Sequence, residues 1–188
     1  VKGEKEFFEK GVSECATCDG IMFKDKVVAV VGGGRSGILS TMFLIRIAKK
    51  IYLIEQNEEL GGTEAWREIV RNAKNVEIMT STKVLEILGN KFVNRIKILK
   101  NGKKEILPVE GVFVSIGYVP HTQFVKNLVK LNNRGEIMID KENRTSCKGI
   151  FAAGDCTDIS EKQVIVATGE GAKAMMEVVE YLAEQKKK

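Results

Sequence analysis

At 188 residues, 44% apolar and 29% charged, the chain holds enough apolar material for a packed core, as one larger domain or two small ones. The net charge of +5 sits partly in the terminal Lys186-Lys187-Lys188 and is otherwise interspersed with acids; no basic stripe carries interleaved aromatics, which argues against nucleic-acid binding. No apolar run approaches a membrane span and the N-terminus is charged from its second residue, without a signal-peptide core, so the expectation is a cytoplasmic chain with no membrane partner.

Residues 1–14 are polar and glycine-punctuated and read as a connector. Cys15-Ala16-Thr17-Cys18 follows, ahead of the turn signal Asp19-Gly20. Two thiols separated by two residues can close a small disulfide ring. In a cytoplasmic chain such a pair is expected to be catalytic or metal-binding, because structural disulfides are rare there. Zinc is set aside, since Cys147 and Cys156 supply no second CxxC and no paired His accompanies them. The expected placement is a loop or a short helix start, where backbone N–H groups and the helix dipole stabilise a thiolate.

The continuous apolar run 27–31 reads as a strand buried on both faces of a parallel sheet. It leads into Gly32-Gly33-Gly34-Arg35-Ser36-Gly37, a G-x-G-x-x-G turn between a strand and a helix, the setting a dinucleotide fingerprint requires. Gly32 permits the tight turn, Gly34 lets the backbone approach a pyrophosphate, and Gly37 allows close helix–strand packing. A well-covered helix is expected over 36–49, with Lys49 and Lys50 at its C-terminal end. A second strand at 51–54 ends at Glu55, 18 residues beyond Gly37. A carboxylate at that offset suits a ribose 2′-hydroxyl and repels a 2′-phosphate, so NADH is favoured over NADPH. Arg35, inside the turn, is a candidate contact for the pyrophosphate or for a 2′-phosphate.

Leu60-Gly61-Gly62 breaks the chain before an amphipathic helix at 63–73, which Trp66 anchors to the sheet. Strands follow at 76–79, 82–88, 92–99 and 104–107, with Asn101-Gly102 as a strong hairpin signal. A strand at 111–116 ends at Gly117. Composition then changes: Pro120 and Thr122 open a short helix, with His121 a surface turn residue, and strands are expected at 135–140 and 149–153. The last of these ends in Gly154-Asp155. From Gln163 a glycine-interrupted helix runs into the lysine tail, and Cys147 and Cys156 read as small buried fillers.

Five stretches together resemble the low-molecular-weight thioredoxin reductase family: residues 11–20 (GVSECATCDG), the turn 32–37, 111–117 (GVFVSIG), 145–155 (TSCKGIFAAGD) and 163–171 (QVIVATGEG). The resemblance implies an α/β fold: a Rossmann-like nucleotide-binding domain with a parallel sheet and an added β-meander over 1–117, then a partial flavin-domain segment over 118–188. It implies that electrons pass from NADPH through FAD to the CxxC pair and on to thioredoxin. Cys18 would face the flavin, Cys15 would attack the partner's disulfide, and Asp19 would be the acid–base group. Gly154 and Asp155 would touch the ribityl-phosphate side, Gln163 and Val164 would lie near the isoalloxazine, and Gly117 counts among the cofactor-binding residues.

Departures from the family pattern shape the expectations. Only one G-x-G-x-x-G is present, and the family's leading FAD-binding segment has no counterpart. The basic stretch that holds a 2′-phosphate is replaced by Glu55-Gln56-Asn57. Arg35 stands where an acid is usual, and Gly37 replaces a small residue. FAD is therefore expected only if another chain supplies the missing half-site, either a separate FAD-binding polypeptide or a mate in a homo-oligomer. The onward partner is expected to be a thioredoxin-like protein, or a glutaredoxin-like one serving peroxide reduction. The alternative is a non-catalytic NAD(P)H-binding or partner-binding module that has lost flavin.

Overall fold

Strands β1 (Val12–Ser13), β2 (Val27–Val31), β3 (Lys50–Ile54), β4 (Val76–Met79) and β8 (Gly111–Val114) form one parallel sheet in the order β1-β8-β2-β3-β4. Strands β5 (Thr82–Gly89), β6 (Val93–Lys100) and β7 (Lys103–Pro108) form a separate antiparallel meander. The structure, a computed structural model, describes residues 1–186; the last two lysines of the expected tail, Lys187 and Lys188, lie outside the described residues. It divides into two units, Val1–Gly117 and Tyr118–Lys188.

In the first unit, strand alternation sorts apolar side chains onto the two faces of the parallel sheet. Ala29, Val31, Tyr52, Ile54, Val112 and Val114 cluster with Val84, Ile87, Ile96 and Ile98 of the meander. Val28, Val30, Ile51, Leu53 and Phe113 instead meet Ala16, Ile38, Leu44 and Val70 from the helices α1 (Ala16–Asp19), α2 (Arg35–Leu44) and α3 (Glu64–Asn72). The result is three layers: helices, parallel sheet and meander. This explains why β2 and β3 read as unbroken apolar runs, since both of their faces are covered. At the β6–β7 hairpin Asn101 and Gly102 both take positive φ, 49° and 75°, as the tight turn demands.

Two expectations for this unit are corrected. Residues 1–14 are not a mere connector: Phe7 is buried in the core and Val12–Ser13 pairs with β8. A two-residue strand offers no periodicity to read. Helix α2 stops at Leu44 rather than near Lys49 because the Asn75 side chain takes the carbonyls of Ile45 and Ala48, at 3.0 and 2.9 Å. Nor is α2 covered all round. Ile38, Thr41 and Leu44 are buried, whereas Leu39 and Phe43 are exposed.

The second unit has 3₁₀ turns at Gln123–Val125 and Gly154–Cys156 and one long helix, α4 (Val164–Gln185). The strands expected at 135–140 and 149–153 are reduced to single bridges, Ile137 with Leu131 and Thr157, and Phe151 with Arg144. Their backbone groups go to scattered partners: Ile137 N–H donates to Cys156 O, Ile139 N–H to Asp158 Oδ1, and Ala152 N–H to Asn143 O. A buried backbone must be satisfied somewhere, and here turns and side chains satisfy it in place of a ladder. The most buried side chains of this unit are polar: Thr122, Glu136, Asn143 and Thr157.

Candidate functional site: a dithiol and a glycine turn

Cys15 and Cys18 are joined in a disulfide, with their Cα atoms 5.3 Å apart. Cys15 caps the single turn of α1, its carbonyl accepting from Cys18 N–H (3.2 Å) and Asp19 N–H (3.0 Å). Its sulfur accepts from Cys18 N–H at 3.2 Å and lies 3.3 Å from Thr17 Oγ1. Cys15 is half-buried and Cys18 exposed, with exposed Ile21 and Met22 beyond it. Asp19 accepts a hydrogen bond from the buried Ser13 hydroxyl at 2.6 Å, and that hydroxyl accepts from Cys15 N–H at 3.0 Å. Ser13 was invisible to sequence reasoning because nothing marked its short strand.

The glycine turn is tightly built. Gly32 has φ 105°, and a Cβ there would stand 2.4 Å from Ser115 O; at Gly37 it would stand 1.7 Å from Gly32 O. Both positions are closed to a side chain. Gly34, by contrast, has open space where a Cβ would stand, and it caps α2 without a side-chain hydrogen bond. The first N–H groups of α2 have no acceptor within the helix, the feature a helix start offers to an anion. Around the turn, Gly61 N–H donates to Gly33 O at 2.8 Å, and Arg67 Nε donates to Gly61 O at 3.0 Å. The Arg35 guanidinium stacks 4.9 Å over Trp66, and Ser36 continues the helix.

Glu55 is buried, only 7% exposed. Its Oε2 accepts from Gly33 N–H at 2.5 Å and its Oε1 from Asn57 N–H at 2.8 Å, so the acid braces the glycine turn from below. The exposed residues next to it are Gln56 and Asn57. A cleft of about 190 Å³ opens alongside, lined in part by Glu58, Glu59, Leu60, Arg67 and Thr80. The bracing partners Leu60, Gly61 and Arg67 carried no signal beyond the loop-breaking glycines. Gly117, at the end of the first unit, has φ 88° and nothing near its missing Cβ.

The remaining residues singled out in the sequence lie in the second unit. Gly154 (φ 77°) opens a 3₁₀ turn in which Asp155 is exposed. Lys162 donates to Asp155 O at 3.2 Å and to Thr157 O, and pairs with Glu136 at 3.3 Å. Burial pushes the Glu136 carboxyl up, but hydrogen bonds from Asn132 and Lys162 and the charges of Lys162 and Arg134 outweigh it and hold it below the usual carboxylate range. Gln163 is extended and precedes α4, whose first residues Val164 and Ile165 are 85% and 80% exposed.

The pyridine nucleotide-disulphide oxidoreductase family matches residues 1–171, a span that takes in both the dithiol and the glycine turn. A subunit of alkyl hydroperoxide reductase in Staphylococcus epidermidis is 41% identical over 184 residues, which are 97% of this chain and 36% of that protein. The Staphylococcus aureus (strain MRSA252) protein of the same name is 40% identical over the same shares. The chain thus spans little more than a third of these curated relatives. Among solved structures, thioredoxin reductase from Giardia duodenalis superposes with a TM-score of 0.87 at 35% identity, over 97% of this chain and 61% of that one. That from Streptococcus pyogenes gives 0.85 at 34% identity, over 98% and 61%.

Proposed function

The chain belongs to the pyridine nucleotide-disulphide oxidoreductase family, and from that premise we propose that it carries the nicotinamide-nucleotide site and the redox dithiol of a reductase delivering electrons to a thioredoxin-like or glutaredoxin-like protein. The observation that carries this reading is the closed Cys15–Cys18 ring, with Asp19 in the same helical turn, in one unit with an open glycine-lined helix start. The names of the relatives, alkyl hydroperoxide reductase among them, favour a route that ends in peroxide reduction.

In this reading, Gly34 and the first N–H groups of α2 hold the pyrophosphate, and Arg35 sets its charge environment. Glu55 fixes the turn and presents negative charge where a 2′-phosphate would sit, which favours NADH. Gly154, Asp155, Gln163 and Val164 form one side of a flavin site. When bound, the flavin supplies the two-electron link between nicotinamide and disulfide. Cys18 is the flavin-side sulfur. The Cys15 thiolate attacks a sulfur of the partner's disulfide, forming a mixed disulfide and releasing the partner's other sulfur as a thiolate. Cys18 then attacks Cys15, the mixed disulfide breaks, and the partner leaves carrying both electrons. Asp19 accepts and returns the protons of this exchange.

Fluorescence titration of the chain with NADH and NADPH, followed by NADH-dependent reduction of a generic disulfide with and without FAD, tests the proposal. Tighter NADH binding and flavin-dependent turnover are expected. Nucleotide binding without turnover, whatever flavin or second polypeptide is added, supports the binding-module reading. Failure to bind either nucleotide overturns both.

A further inference from the structure

The Ser13 hydroxyl has two acceptors within reach. Asp19 Oδ2 lies at 2.6 Å and the Cys15 carbonyl at 3.4 Å, while Cys15 N–H donates to the same oxygen at 3.0 Å. Ser13 is 4% exposed and fixed by the pairing of β1 with β8, opposite Phe113. Among the described residues no cation contacts the Asp19 carboxylate, and Ser13 is its only side-chain hydrogen-bond partner. The 3₁₀ turn Gly20–Phe23 that follows carries no charged residue. Helix α2 meets this end of α1 through Phe43 and Leu44, and its only charged residue, Arg35, lies at its far end, about 12 Å along the axis. Apart from the two bonded cysteines, the titratable side chains nearest in sequence are Glu14 and Lys24, each five residues away and both exposed.

A hydroxyl is both donor and acceptor, and its hydrogen turns to suit. When Asp19 is a carboxylate, the Ser13 proton points to Oδ2. When Asp19 carries a proton, that proton is donated to Ser13 Oγ, and the Ser13 hydrogen swings to the Cys15 carbonyl. We infer that Ser13 is a positioning residue whose hydroxyl switches between these two acceptors, holding Asp19 in place beside the dithiol in both of its protonation states. The inference rests on the reading of Asp19 as the acid–base group.

The step served is reductive opening of the ring. A thiolate of an added dithiol attacks one sulfur of the Cys15–Cys18 bond, a mixed disulfide forms, and the other sulfur leaves with the electron pair. That sulfur takes a proton from Asp19, and the carboxylate regains one from water. The dithiol's second thiol then closes its own ring, having delivered two electrons.

The test is the rate at which dithiothreitol opens the ring in the full chain, followed by quenching with an alkylating reagent and weighing the product. Losing one hydrogen bond to a charged group should slow Ser13→Ala by about ten-fold. Ser13→Thr, which keeps the hydroxyl, should stay within about two-fold of the parent chain, guarding against a mere folding defect. Asp19→Asn should be slowed at least as much as Ser13→Ala, and adding Ser13→Ala to it should slow it no further. A parent-like rate in Ser13→Ala with a slowed Asp19→Asn overturns the positioning role alone. Equal slowing by Ser13→Ala with and without Asp19→Asn does so too, because it shows a purely structural effect. A parent-like rate in Asp19→Asn overturns the acid–base reading, and the positioning role with it.

Discussion

The two units contrast in how they satisfy themselves. The first closes a five-stranded parallel sheet between helices and a meander, and its glycine turn is braced from below by Glu55 and from the side by Gly61. The second has only single bridges where strands were expected, buries polar groups at its centre, and includes a 22-residue helix with no fully buried residue. Exposed along that helix are Val164, Ile165, Met175, Met176, Val179 and Leu182. Dithiol and glycine turn thus rest on a sheet-built scaffold, whereas the residues proposed for flavin lie in a 3₁₀ turn and at the start of an exposed helix.

Four measurements put that contrast at risk. The largest effect is expected from Phe113→Ala. Phe113 is fully buried and packs edge-on against Phe23 at 5.1 Å, so its truncation should cost about 3–5 kcal/mol in urea unfolding followed through the first unit. A loss below about 1 kcal/mol would deny that this sheet is the rigid half. Next, Gln56→Arg places a cation on an exposed position beside Glu55 without disturbing the brace, and should shift the ratio of NADH to NADPH affinity about ten-fold toward NADPH. Glu55→Arg is the poorer probe, since it removes the acceptor of Gly33 N–H. An unmoved ratio in Gln56→Arg would place the nucleotide's ribose elsewhere.

The third measurement concerns acid. The Glu136 carboxyl sits below its ordinary range in the folded chain, so its contribution is present above the unfolded value of about 4.3 and fades as pH falls through the lower folded value. The thermal stability of the second unit should fall as pH drops below the unfolded value of about 4.3, and Glu136→Gln should flatten that slope while lowering stability at neutral pH. An unchanged slope in the variant would mean that Lys162 and Arg134 hold the loop without it. The smallest effect is expected from Val179→Ser, at most about 0.5 kcal/mol in the isolated chain, because Val179 is 60% exposed. A larger loss there would show that α4 is covered in solution.

Legibility in the sequence followed locality. Val27–Val31, the turn from Gly32 to Gly37 and the Asn101-Gly102 hairpin each announce themselves through neighbouring residues, and the structure has them where the pattern indicates. What escaped depends on partners distant in sequence. The end of α2 is set by Asn75, 30 residues from Ile45, and the role of Glu55 by Gly33 N–H, 22 residues away. Ser13 becomes meaningful only once Asp19 is seen to fold back onto it. The apolar runs at 135–140 and 149–153 read as strands because composition records a tendency, whereas a strand also needs a neighbour to pair with.

The pairing of Val12 with Val112 joins positions nearly the whole first unit apart. Closing so long a loop costs more chain entropy than closing the local β6–β7 hairpin. The Cys15–Cys18 ring, by contrast, spans a sequence separation of 3 and can close before β1 finds its neighbour. Ring closure and docking of β1 are therefore distinct requirements, one local and one long-range. A closed ring says that two sulfurs have met, and only a docked β1 brings Ser13, and with it Asp19, into register beside them.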